Sequence, residues 1–148
     1  MIRFSNTIEI GRPPEEVFAY LADLEHTPEW NWAITSTRKL TLGPVAVGSR
    51  YRQTRSVPRP AVEMLEVTRL DPDRRIEVVG DLASFPAHLT YELSPRPHGT
   101  TLTNYVELEP SGPLGLLGSL FTGRVQASVA ENLGVLRTVL ERSGKSET

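Results

Sequence analysis

From Thr35 to Glu109, apolar and polar residues alternate with a period of two, interrupted at short intervals by proline and glycine. Period-two runs bounded by turn residues are the signature of half-buried strands. They predict strands at Thr35–Leu42, Ser49–Val57, Ala61–Leu70, Arg75–Leu82, Ala87–Leu93 and Thr101–Leu108. The breaks are Gly43-Pro44, Pro58-Arg59-Pro60, Asp71-Pro72-Asp73, Phe85-Pro86 and the stretch from Pro95 to Gly99. Connections this short cannot hold crossover helices, so neighbouring strands are expected to pair antiparallel. Upstream, Ile2–Ile10 alternates as a further strand, and Gly11-Arg12-Pro13-Pro14 ends it.

Two segments carry a helical period instead. Val17, Phe18, Leu21 and Leu24 give a short helix after Pro14, with Glu15 and Glu16 at the positive end of its dipole. Pro28 is expected to interrupt it, leaving Glu29-Trp30-Asn31-Trp32 as a second short helix or turn. The long segment is the last, from about Leu114 to Arg142. Its residues Val125, Val129, Leu133, Leu136 and Leu140 form one stripe. Its first part interleaves Leu116, Leu117, Leu120 and Phe121 with Gly115, Gly118 and Gly123. Each interior glycine costs a helix about 0.5–1 kcal/mol, so this part is expected to be looser, and Gly112–Gly123 could open as a lid.

The element order predicts an α+β fold: a curved antiparallel sheet of about six or seven strands wrapped round a long C-terminal helix. Two short helices between the first and second strands would close one end. Residues 1–142 read as a single domain and 143–148 as a flexible tail. Between sheet and helix there is either an enclosed space or a fully packed core.

Strand parity names the residues that face that interior. Leu89, Tyr91 and Leu93 share one face of their strand, with His88, Thr90 and Glu92 on the other. Leu102, Asn104, Val106 and Leu108 share a face, so Asn104 is a polar side chain on an apolar surface. Left unpaired, its amide would cost about 1–3 kcal/mol. Tyr51, Gln53, Arg55 and Val57 are the better inner set of their strand, although an edge strand wet on both faces fits equally well. Ala61–Leu70 has two competing phases, Val62, Met64, Glu66 and Leu70 against Leu65 and Val67, and a bulge could exchange them. On the final helix, Leu117, Phe121, Val125, Ser128, Val129, Asn132 and Leu136 lie within the apolar arc, with Arg124 at its border. Trp30 reads as a core anchor and Trp32 as the border of an entrance.

Composition narrows the chemistry. The chain has 148 residues, no cysteine and a net charge of −2 with mixed signs. That excludes disulfides and thiolate chemistry and gives no broad footprint for nucleic acid. No apolar run approaches about 18 residues, so stable membrane insertion is not expected and a cytoplasmic protein is the default. His26, His88 and His98 show neither metal spacing nor a nucleophile partner, and no phosphate-binding loop or nucleophile elbow is present. No metal or cofactor is expected.

Five pieces in order resemble the START-like, helix-grip superfamily, in its polyketide cyclase/dehydrase and lipid-transport branch. They are Pro14-Glu15-Glu16-Val17-Phe18, Pro28-Glu29-Trp30-Asn31, Val47-Gly48-Ser49-Arg50-Tyr51, Leu70-Asp71-Pro72-Asp73-Arg74-Arg75-Ile76 and Glu131-Asn132-Leu133. The resemblance covers almost the whole chain and implies a deep, mostly apolar pocket for a hydrophobic small molecule. It does not supply a reaction.

Three function classes follow. The first is a binding module for a lipid- or polyketide-like molecule. Its expected lining is Trp32, Gln53, Met64, Leu89, Tyr91, Asn104, Leu117, Phe121, Val125, Ser128 and Asn132. The second is a cyclase/dehydratase, for which Glu66, Tyr51, Tyr91 or Arg55 would have to move protons. A sealed interior would remove the first, and an outward Glu66 would remove the second's only interior carboxylate. The third and weakest is a module that meets another protein through its outer sheet face.

Overall fold

The computed structural model describes residues 2–83, 85–109 and 118–146, with the backbone alone at 118–121 and 143–146. Seven strands form one sheet: β1 (Ile2–Ile10), β2 (Ile34–Lys39), β3 (Arg50–Arg55), β4 (Ala61–Asp71), β5 (Arg75–Leu82), β6 (Phe85–Arg96) and β7 (Gly99–Leu108). Their order is β1-β7-β6-β5-β4-β3-β2, every pair antiparallel. Helix α1 (Pro14–Leu21) and a 3₁₀ helix (Leu24–Glu29) lie between β1 and β2, and α2 (Gly118–Ser146) ends the chain. This is the helix-grip arrangement.

Local chemistry accounts for the short helices. Pro14 supplies a fixed φ in the first turn of α1, Glu15 and Glu16 face its positive end, and Val17, Phe18 and Leu21 are its buried face. Asp23 opens the 3₁₀ helix by accepting from the Glu25 amide at 3.3 Å. Pro28 is not what ends the first helix, since α1 has already stopped at Leu21. It lies inside the 3₁₀ helix, which runs over Leu24–Glu29 instead of Glu29-Trp30-Asn31-Trp32, with the donors after it met by Thr27. The amides of Trp30 and Asn31 both reach the Thr27 carbonyl, at 3.1 and 2.9 Å.

Helix α2 is fixed along the β1 edge of the sheet. Asn6 Nδ2 donates to the Gln126 carbonyl (3.1 Å), Gln126 Nε2 donates to the Ser5 carbonyl (3.0 Å), and Glu141 accepts from the Gly11 amide (2.8 Å). Its C-terminal half seals the interior. Leu133, Leu136 and Leu140 are buried with Val17, Phe18 and Leu21 of α1 and Tyr51, Val67, Ile76 and Leu102 of the sheet. Each such leucine contributes about 1.5–3 kcal/mol. Its N-terminal half presents Val125, Ser128 and Val129, which are short and only partly covered or exposed.

The strand phases are now fixed. Tyr51 and Gln53 of β3 are buried inside, as are Leu102, Asn104, Val106 and Leu108 of β7. In β4 the inner set is Glu63, Leu65 and Val67, with a register shift after Val67. Met64 is 51% exposed and Glu66 is exposed on the outer face. Of the two competing phases, the one that would turn Met64 and Glu66 inward is excluded, so the expectation of Met64 in the lining is corrected. Register explains it: Gln53 stands opposite Glu63 in the β3–β4 pair, and directly paired residues share a face. Glu63 is 2% exposed and fully engaged. Its carboxylate accepts from Gln53 Nε2 (2.9 Å), Arg55 Nε (2.9 Å) and the Ala83 amide (2.6 Å).

β4 and β5 leave no room for a side chain at Gly80. A Cβ on Gly80 would press into the Met64 carbonyl and come within 2.6 Å of Leu65 Cδ2. Gly80→Ala is therefore expected to lower unfolding free energy by about 1–3 kcal/mol in urea denaturation. The β4 phase gives a paired test. Glu63→Gln should cost about 3 kcal/mol by breaking a buried ion pair, while Glu66→Gln should stay within about 0.5 kcal/mol. Equal losses would contradict the phase.

Candidate functional site: a cavity between the sheet and α2

Where the short side chains of α2 face the sheet, the interior is not filled. A cavity of about 430 Å³ remains, within the range of roughly 300–1,000 Å³ usual for small-molecule sites. Its wall is mostly apolar: Leu21 and Leu24 from the short helices, Leu65, Val78, Leu89 and Val106 from the sheet, and Val125 and Val129 from α2. The β5–β6 turn adds Leu82, Ala83 and Phe85, and the segment after β3 adds Val57 and Pro58. Both tryptophans of the chain line it. Trp30 is buried and meets Tyr91 edge-on, with ring centroids 6.4 Å apart at 88°. Trp32 is 60% exposed and stands at the opening.

Of the residues expected to line a pocket, Trp32, Gln53, Leu89, Tyr91, Asn104, Val125, Ser128 and Asn132 all border this space. Met64 does not, for the reason of strand phase given above. Leu117 lies outside the described residues, as does the Phe121 side chain, and residues 112–117 of the expected lid fall there too.

The polar groups on the wall differ in how far they are satisfied. Asn104, 1% exposed, donates from Nδ2 to the Thr90 carbonyl at 3.1 Å, so part of its amide has a structural partner. Asn132 is 7% exposed, and its Oδ1 has no hydrogen-bond partner among the described residues. Burial pushes the Tyr91 hydroxyl well above the usual tyrosine range, so it stays protonated at neutral pH as a donor. Arg55 Nε is anchored to Glu63 Oε2, while its Nη1 reaches the Val57 carbonyl at 3.4 Å. Ala83, whose amide completes the Glu63 cluster, adopts a left-handed backbone (φ 51°) to present it.

The proposed proton-transfer residues do not assemble. Tyr51 is fully buried but outside the cavity wall, and its hydroxyl has no hydrogen-bond partner among the described residues. Desolvation, with smaller contributions from Asp23 and Glu25, pushes it up to about 12. Glu66 faces outward. Only Tyr91 and Arg55 of that set border the cavity. The buried carboxylate that sequence reasoning missed, Glu63, sits behind the wall with three donors already on it. Its signal was register: counting the hairpin across Pro58-Arg59-Pro60 places Glu63 opposite the inward Gln53.

The histidines stand apart from this site. His26 stacks on Tyr20 with ring centroids 4.2 Å apart, and His88 pairs with Glu77 on the outer face at 2.9 Å. No helix of the described residues is long and apolar enough to cross a membrane.

Comparison with known proteins agrees with this fold. A protein called Toxin Rv0910, from Mycobacterium tuberculosis (strain ATCC 25618 / H37Rv), is 24% identical over 145 residues, spanning 94% of this chain and 98% of its own. Among solved structures, a START superfamily protein from Mycobacterium smegmatis superposes with a TM-score of 0.83 at 18% identity, covering 96% and 99% of the two chains. The Zhui aromatase/cyclase from Streptomyces sp. R1128 superposes at 0.72 with 14% identity, covering 95% and 93%. At such identities these structures speak for the fold. The sequence profile of one family matches residues 1–141, nearly the entire length. The chain belongs to the family described as polyketide cyclase / dehydrase and lipid transport.

Proposed function

We propose that this protein binds a hydrophobic small molecule, lipid- or polyketide-like, in the cavity between the sheet and the N-terminal half of α2. The observation that carries the reading is the cavity itself: about 430 Å³ bounded by a mostly apolar wall, with Gln53, Tyr91, Asn104 and Asn132 at separate points on it. Apolar surface drives a ligand in, and sparse polar groups fix its orientation. The family description and the aromatase/cyclase neighbour favour a second reading, cyclisation or dehydration of a polyketide-like substrate. Among the described residues, however, the wall carries neither carboxylate nor imidazole. A proton-transfer step would fall to Tyr91, whose raised hydroxyl is a poor base or acid near neutrality. Binding is the better-supported function.

A neutral apolar fluorophore, N-phenyl-1-naphthylamine, tests it. Titrated into the purified protein, it should bind saturably and quench Trp30 and Trp32, which flank the site. Leu89→Trp should fill the cavity and weaken binding about tenfold or more while leaving the far-UV circular dichroism unchanged. Absence of saturable binding to the wild type, or undiminished binding to a folded Leu89→Trp, would contradict the reading.

A further inference from the structure

The charge of the cavity wall is one-sided. Among the described lining residues the ionised side chains are Arg55 on β3 and Arg124 on α2, with no carboxylate beside them. The two arginines are not equivalent. Arg55 is matched by the buried Glu63, in an ion pair of 2.9 Å where the arginine side chain is 13% exposed, so that pair is close to neutral. Arg124 is exposed and has no ion-pair or hydrogen-bond partner among the described residues. The net charge bordering an otherwise apolar space is therefore positive, and it resides on Arg124.

Resting on the cavity reading above, we infer that the ligand is an amphipathic acid: an apolar body inside, and an anionic group, carboxylate or phenolate, held by Arg124 at the helix side of the cavity. A bound cation would meet unopposed positive charge in a partly dry space, where desolvation is expensive. A neutral ligand would gain only a weaker hydrogen bond from Arg124, without the charge–charge attraction. An anion gains charge-assisted hydrogen bonds from a planar guanidinium that matches carboxylate geometry. It can also approach Nη2 of Arg55, the guanidinium nitrogen left over when Nε is taken by Glu63 and Nη1 by Val57. Glu63 thus acts as a positioning residue. It holds the Arg55 guanidinium in one orientation.

Three ten-carbon probes separate the possibilities: decanoate, 1-decanol and decylamine, each below its aggregation concentration at pH 8. Binding is read from tryptophan fluorescence and confirmed calorimetrically. In the wild type, decanoate should bind roughly tenfold more tightly than decanol, with decylamine weakest. Arg124 is solvent-exposed, so Arg124→Gln should fold normally. It should bring decanoate to within about threefold of decanol, with a much larger loss for decanoate than for decanol. Equal affinities for decanoate and decanol in the wild type, or an acid preference undiminished in Arg124→Gln, would overturn the charge inference while leaving the cavity reading intact. Failure of all three probes to bind would overturn both.

Discussion

The architecture depends on how α2 is spaced from the sheet. At its C-terminal half, Leu133, Leu136 and Leu140 fill the gap to α1 and the sheet, and this packing sets the distance between the two layers. The Asn6–Gln126 clasp and the Glu141 contact with the Gly11 amide hold the helix along β1 over its length. At the N-terminal half the same separation is spanned by Val125, Ser128 and Val129, which are too short to close it. The cavity is the remainder. It follows from the short side chains at Val125, Ser128 and Val129 in the described part of α2, with the layers held apart by the leucines further along.

The polar chemistry of the interior is arranged around the same space. Glu63 is tolerated in the interior because three donors converge on it and offset its desolvation, and its engagement turns Arg55 into a fixed feature of the wall. An unpaired carboxylate at that position would be a candidate base. Tied to Gln53, Arg55 and Ala83, it is a structural anchor beneath the lining. Asn104 is similarly half committed to the backbone through Thr90, whereas Asn132 Oδ1 is not committed among the described residues. The wall thus combines fixed and unspent hydrogen-bonding capacity. This suits orientation of a bound molecule better than proton transfer.

Much of the fold was legible in the chain because alternation, turns and helical period agreed. The β7 face of Leu102, Asn104, Val106 and Leu108 follows from parity alone, and so does the inward turn of Leu89 and Tyr91. The β4 strand was not legible by that route. Val62 and Met64 are apolar residues on its outer face, and Glu63 is a charged residue on its inner one, so the hydrophobic pattern leaves both phases open. What fixes its phase is cross-strand register with β3, a non-local fact. Pro28 misled for a local reason: a residue that breaks an α-helix is tolerated in a short 3₁₀ turn whose next donors share the Thr27 carbonyl. The cavity itself could only be posed as an alternative to a filled core, since side-chain size matters only once the layer spacing is known. Charge asymmetry of the wall was likewise invisible until Glu63 was placed.

The most direct measurement is native mass spectrometry of the protein purified without detergent, followed by denaturing extraction of whatever dissociates. A binding protein with this cavity is expected to show a mass increment at one equivalent, retained by the wild type and lost from Leu89→Trp. The extracted molecule should have a largely apolar body and partition into organic solvent after acidification. An unliganded mass that stays unliganded after incubation with a panel of lipid and polyketide-like compounds would contradict the account.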